Sequence, residues 1–159
     1  MTVEYIKNQM TWEEYSGMSF SQHEEICRTI YTSITPFPHE FTGGQYDSYD
    51  ASVTAGTITA NAELKFRYIL REKWDDKGYW LEKTKYDALM EAYRKTGSIP
   101  LFYTFLRKGV GYYWDLRKLK PVWKKELATA TTADGQYGKN KVWKEVCHPF
   151  PKEGKEIRW

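Results

Sequence analysis

The chain has 159 residues, of which 41% are hydrophobic, 17% aromatic and 28% charged, with a net charge of +3. This composition suits one soluble domain (residues 1–159) able to bury a sizeable core, and no apolar run is long enough for a membrane-spanning helix. The opening MTVEYIKNQM lacks a secretory apolar segment, and Cys27 and Cys147 form neither a metal pattern nor a disulfide framework, as expected of reduced thiols in an intracellular protein.

Taken in order, residues 1–19 read as a short docked segment. Within it, Thr11-Trp12-Glu13-Glu14 has the form of a capping box and starts one or two helical turns. Ser21–Ser33 reads as the first long helix, with Ile26, Cys27, Ile30 and Tyr31 as its apolar stripe. Ser21 and Glu24 have capping-box spacing. Glu24 also lies at the margin of the stripe, so it is either a cap or a group reaching a site beneath the helix, whereas Glu25 points to solvent. Pro36-Phe37-Pro38 ends the helical region, and Thr42-Gly43-Gly44 reads as a flexible lead-in to a hairpin.

That hairpin spans Ser48–Arg67 and turns at Gly56-Thr57, where glycine suits the first position of a type II′ turn. The turn sets Asp50 opposite Glu63. Alternation then puts Tyr49, Ala51, Val53, Ile58, Ala60, Ala62, Leu64 and Phe66 on one face, and Ser48, Asp50, Ser52, Thr54, Thr57, Thr59, Asn61, Glu63, Lys65 and Arg67 on the other. A slip of one residue would destroy this sorting. Two facing carboxylates repel each other. Either the polar face is simply solvated, or a divalent cation or Lys65 offsets the charge. Asp47 is a rival for Asp50 but falls on the opposite face by alternation.

Residues 66–70 read as an extension of the second strand, 75–78 (Asp-Asp-Lys-Gly) as a turn, and Tyr79–Glu82 as a short third strand. Thr84–Thr96 reads as a helix capped by Thr84 and stopped by Gly97, with Tyr86, Leu89, Met90 and Tyr93 as its apolar stripe. Lys83 and Lys85 at its start oppose the helix dipole unless an anion lies close. Ile99–Leu106 suits a strand covered on both faces. Arg107-Lys108-Gly109 turns the chain, and Val110–Leu116 returns as a strand. Leu127–Gly138 reads as a surface loop and Lys139–Cys147 as an edge strand or extended arm. Residues 117–159 carry 11 Lys/Arg against 5 Asp/Glu, a net +6, while residues 1–116 carry 13 against 16, a net −3. The basic third is either a solubilising tail or a surface for a polyanion.

Asp50, the tripeptide Glu63-Leu64-Lys65 and the order of flanking elements resemble the PD-(D/E)XK nuclease superfamily over residues 20–116. Tyr49 stands where its motif has proline, and residues 117–159 match nothing in it. The resemblance implies an α/β restriction-endonuclease-like αβββαβ core, with a mixed central sheet flanked by helices and a basic C-terminal extension. It implies an intracellular, bacterial or phage endonuclease hydrolysing DNA phosphodiester bonds, with a junction-resolving homodimer among the forms such enzymes take. Asp50, Glu63 and the Leu64 carbonyl are then expected to hold Mg²⁺ or Mn²⁺, with Glu24 joining directly or through water. Lys65 would orient or activate the water and counter the developing negative charge, and Lys85 and Arg67 would contact phosphate. Lys118, Lys120, Lys124, Lys125, Lys139, Lys141 and Lys144 are the expected backbone contacts. A catalytically silent binding module of the same fold is the alternative, and an RNA-directed nuclease a third reading.

Overall fold

The computed structural model describes residues 1–42, 48–129 and 141–159. Gly43, Gly44, Asp47, Lys139 and most of the expected loop before it lie outside them. The protein is mixed α/β. Among the described residues, four helices, α1 (Val3–Asn8), α2 (Trp12–Ser16), α3 (Phe20–Ile34) and α4 (Lys83–Thr96), accompany nine strands. Six of these strands form a central sheet in the order β1 (His39–Phe41), β2 (Ala51–Ala55), β3 (Ile58–Arg67), β5 (Ile99–Leu106), β6 (Val110–Asp115), β9 (Lys155–Arg158). The other three form a small sheet in the order β4 (Leu81–Glu82), β8 (Lys141–Cys147), β7 (Lys124–Thr129). No helix among the described residues is long and apolar enough to cross a membrane.

The β2–β3 hairpin keeps the register set by its two-residue turn. Ala51 pairs with Ala62, Val53 with Ala60, and Ala55 with Ile58. Gly56 has φ +64° while Thr57 does not turn positive, as a type II′ turn requires. The expected sorting of faces follows from that register, but the polar face is not solvated. β3 is buried on both sides from Ala60 to Leu64, with Asn61 and Glu63 among its buried residues. On the apolar side, Ala51, Ala62, Leu64 and Phe66 pack against Ile26, Cys27, Ile30 and Tyr31 of α3. Ile26 and Ile30 are fully buried, and truncating either to alanine would cost about 2–5 kcal/mol. On the polar side, Glu63 pairs with Phe102 across the parallel β3–β5 ladder, and Phe102 with Trp114 of β6. Those rings stack at 5.4 Å beneath Leu89 of α4 and Tyr79 and Leu81. Parallel neighbours cannot be joined by a tight turn, and α4 supplies the crossover.

Several boundaries differ from expectation for physical reasons. α3 starts at Phe20 because Ser19 and Gln22, not Ser21 and Glu24, form its capping box. α4 begins at Lys83 with Glu82 as its N-cap residue, so Thr84 lies inside the helix. The strand completing the helix–strand–strand–strand–helix–strand order is β1, before the hairpin. Of Tyr79–Glu82 only Leu81–Glu82 is strand, and it belongs to the small sheet. Residues 68–70 are not part of β3, which ends at Arg67. Leu127–Thr129 belongs to β7, not to a loop, and β8 lies between β4 and β7 rather than at an edge. The basic C-terminal third is no appendage: it builds most of the small sheet and supplies β9 to the central one.

Candidate active site

The site arises where β2 stops and β3 continues. Asp50 precedes β2, and its N–H bonds the Ala62 carbonyl. Beyond that point β3 runs on through Arg67 with no partner strand on the β2 side among the described residues. Asp50 covers part of the gap with its side chain: its Oδ2 accepts a hydrogen bond from the Leu64 N–H at 2.8 Å. Backbone groups of alternate strand residues point the same way. The Ala62 carbonyl meets Asp50 on this edge, and the Phe66 carbonyl accepts from the Tyr15 hydroxyl. The Leu64 carbonyl therefore points into the same opening.

A cavity of about 330 Å³ lies at this edge, between α3 on one side and α4 with the small sheet on the other. Asp50, Glu63, Leu64, Lys65, Glu24 and Lys85 all line it, as do Arg67 and Lys144. At its centre, Glu63 is 1% exposed. Lys65 Nζ lies 3.1 Å from Glu63 Oε1 and Lys85 Nζ 3.5 Å from Oε2, yet neither carboxylate oxygen receives an aligned hydrogen bond. Burial raises the Glu63 pKa and the Asp50 charge adds to this, while Lys65 and Lys85 act against it. The Glu63 carboxylate in turn pushes the Lys65 pKa upward. Glu63 is thus the anion that offsets the lysine at the α4 N-terminus, while Lys83 turns outward to Asp87 at 2.6 Å.

With the cap assigned to Ser19 and Gln22, Glu24 is released from that role. It pairs with Arg28 at 3.9 Å in the cavity wall. Among the described residues no three His, Cys, Asp or Glu side chains group as a metal site, so Glu24 does not complete a ligand triad with Asp50 and Glu63. Arg28, Lys65, Arg67 and Lys85 line the same cavity. The set that fits a hard cation is therefore two carboxylates and a backbone carbonyl. The buried, unbonded oxygens of Glu63 are the feature that most favours one.

Of the remaining basic candidates, Lys118, Lys120, Lys124, Lys125 and Lys141 are exposed and lie outside the cavity wall. Lys144 reaches it, held at 2.7 Å by Glu82. Burial opposes ionisation of Glu82, but the hydrogen bond and charge of Lys144 keep its pKa below the usual carboxylate range. Sequence patterning missed this pair, because 62 residues separate its members. Cys27 also lines the cavity, and burial, with the nearby Asp50 charge, raises its thiol to about 12, which leaves it protonated.

No family model and no curated protein matches this sequence. Among solved structures, the chain is similar to Hjc of Archaeoglobus fulgidus, a Holliday junction resolvase from an archaeal hyperthermophile. The TM-score is 0.47 and the identity 14%, over 60% of this chain and 80% of that one.

Proposed function

We propose that this protein is a metal-dependent endonuclease acting on DNA, with the restriction-endonuclease-like core that its Asp50 and Glu63-Leu64-Lys65 elements resemble. The observation that carries this reading is Glu63: a buried carboxylate with no aligned hydrogen-bond donor, beside Asp50 and two lysines, on an open strand edge. Asp50, Glu63 and the Leu64 carbonyl would hold Mg²⁺ or Mn²⁺, and Glu24, in the wall of the same cavity, would contribute through water. When bound, such an ion stabilises charge on phosphoryl oxygens and lowers the pKa of water.

The chain's own groups account for the rest. Lys65 carries a firmly protonated ammonium on the Glu63 face, suited to orienting a water and countering negative charge as it develops. Lys85, only a quarter exposed at the start of α4, faces the same point and is placed to hold a phosphate oxygen. Arg67, further along β3 on the same face, can bind the next phosphate. The exposed lysines of residues 117–159 supply non-specific grip on the backbone, which weakens as salt rises.

The test is cleavage of plasmid, linear, single-stranded and four-way-junction DNA, with Mg²⁺, Mn²⁺ or EDTA, by the wild type and by Lys65→Ala. Cutting that needs the metal and is lost in the variant is expected. One observation favours a second reading, a silent binding module: Lys65 and Lys85 already balance the Glu63 charge. No divalent-ion binding by calorimetry, together with no cutting of any substrate, would establish that alternative.

A further inference from the structure

We propose that the outward face of the β7–β8 ribbon stacks an unpaired DNA base on Trp143, with Lys125 and Lys141 meeting the flanking phosphates. This rests on the nuclease reading and deepens it by naming the substrate class: DNA with single-stranded bases beside the point of cleavage.

Leu127 pairs with Trp143, Lys125 with Glu145, and Thr129 with Lys141, so these positions share one face of the ribbon. At its inner end the strand is anchored, with Val146 0% and Cys147 3% exposed. Further out it emerges, and Trp143 is 70% and Leu127 48% exposed. An indole this exposed adds little to the core, and its ring face is free to receive another flat ring. Lys125 and Lys141 flank it, and Lys83 approaches it from the start of α4 in the same surface groove. Glu82, Asp87 and Glu145 are the acidic groups there; Asp87 is paired with Lys83 and Glu82 with Lys144.

An aromatic face within a basic surface is the pattern that binds single-stranded nucleic acid: lysines track the phosphates and the ring stacks a base whatever its identity. Bases in an intact duplex are already stacked on each other, so Trp143 has nothing to gain from one. The site also has a physical link to the cavity. Lys144, the next residue, points to the opposite side of β8 and lines the Glu63 cavity. A strand crossing the ribbon edge would have one base on Trp143 and a phosphate near Lys144.

The experiment uses the full chain carrying Glu63→Gln, in EDTA, with anisotropy of labelled single-stranded, gapped and blunt duplex oligonucleotides. Trp143→Ala is expected to weaken single-stranded and gapped binding about tenfold, to leave blunt duplex binding within about twofold, and Trp143→Phe to retain most of the affinity. Lys125→Gln with Lys141→Gln should weaken all three and flatten the salt dependence. The inference is overturned if the parent does not bind single strands, if Trp143→Ala binds them as the parent does, or if duplex binding falls equally. Loss of self-association in Trp143→Ala, with DNA affinity unchanged, overturns it in favour of a dimer contact. Binding is read without cleavage, so the two proposals fail separately. Metal-dependent cutting by the wild type without single-strand affinity removes only this one, and single-strand binding through Trp143 in a protein that never cuts removes only the nuclease reading.

Discussion

Two carboxylates lie on the same side of the central sheet, and they are treated in opposite ways. Asp75 accepts hydrogen bonds from the Tyr79 hydroxyl at 2.6 Å, the Tyr112 hydroxyl at 2.8 Å and Arg71 Nε at 3.2 Å. Both of its oxygens are engaged by donors in line with them. Glu63 is far more deeply buried, and neither oxygen has such a donor, only the ammonium groups of Lys65 and Lys85 nearby. Buried polar groups in folded proteins are normally satisfied. Asp75 is therefore a structural fastener, complete as it stands. Glu63 is held by the charges of two lysines instead of by aligned donors.

The sharpest way to break this contrast is Glu63→Gln. Metal-dependent cleavage should fall by at least about 10²-fold, the scale for removing one preorganised charge-stabilising group. The melting temperature in EDTA reports two opposing changes: a neutral amide is cheaper to bury than a carboxylate, but the ammonium groups of Lys65 and Lys85 lose their counter-charge. A variant that melts lower yet still cuts would place Glu63 with Asp75 among the structural groups. Next in size is the ion itself. Mg²⁺ at a hundred times its dissociation constant should stabilise the wild type by about 2.7 kcal/mol. In thermal melts Asp75→Asn should respond to the ion as the wild type does, and Glu63→Gln should not.

Asp75→Asn tests the other half. Losing a charged acceptor from two tyrosines and an arginine should cost about 1–3 kcal/mol in chemical denaturation, while cleavage per folded molecule stays unchanged. The smallest effect is one of pH. Burial, and then the bonds to Asp75, raise the pKa values of Tyr79 and Tyr112 above the free tyrosine value. A group whose pKa is raised in the folded state stabilises below its unfolded pKa and loses that contribution as pH climbs past it. The stability held in these hydroxyls is therefore complete at neutral pH and starts to drain above about pH 10. Melting curves from pH 8 to 11 should fall less steeply for the Tyr79→Phe, Tyr112→Phe double variant. An unchanged slope would mean the pair carries no proton-linked stability.

The contrast also marks what could be read from the sequence. The hairpin register from Ala51–Ala62 to Ala55–Ile58 was legible because a two-residue glycine turn and strict alternation leave a single consistent solution, whereas the direct pairing of Asp50 with Glu63 gives way to bonds from Asp50 to Ala62 and Leu64. Ile99–Leu106 was legible for a similar reason, since a nearly unbroken apolar run fits a strand covered on both sides. Local pattern fails where the information is distant or the element is short. The strands His39–Phe41 and Lys155–Arg158 are too brief to show a period and exist because β2 and β6 offer them an edge. Asp75 reads as an ordinary turn residue, because its partner Tyr112 lies 37 positions away. Glu82 holds the N-cap position of a helix whose start the sequence marks two residues later at Thr84, and its side chain is taken by Lys144 from another strand. The polar face looked like a surface because nothing in the hairpin itself says that α4 and the small sheet will cover it.

The bond from the Leu64 N–H to Asp50 has a further consequence. A strand with a vacant side is a template on which a foreign chain can add itself, the first step of edge-to-edge aggregation. Asp50 occupies one of those pairing positions with its side chain, and Lys65 and Arg67 make the stretch beside it inhospitable to an incoming apolar strand. The groups proposed to meet a phosphate on β3 thereby also guard it against its own kind. Stripping this edge of charge would remove a defence against self-association.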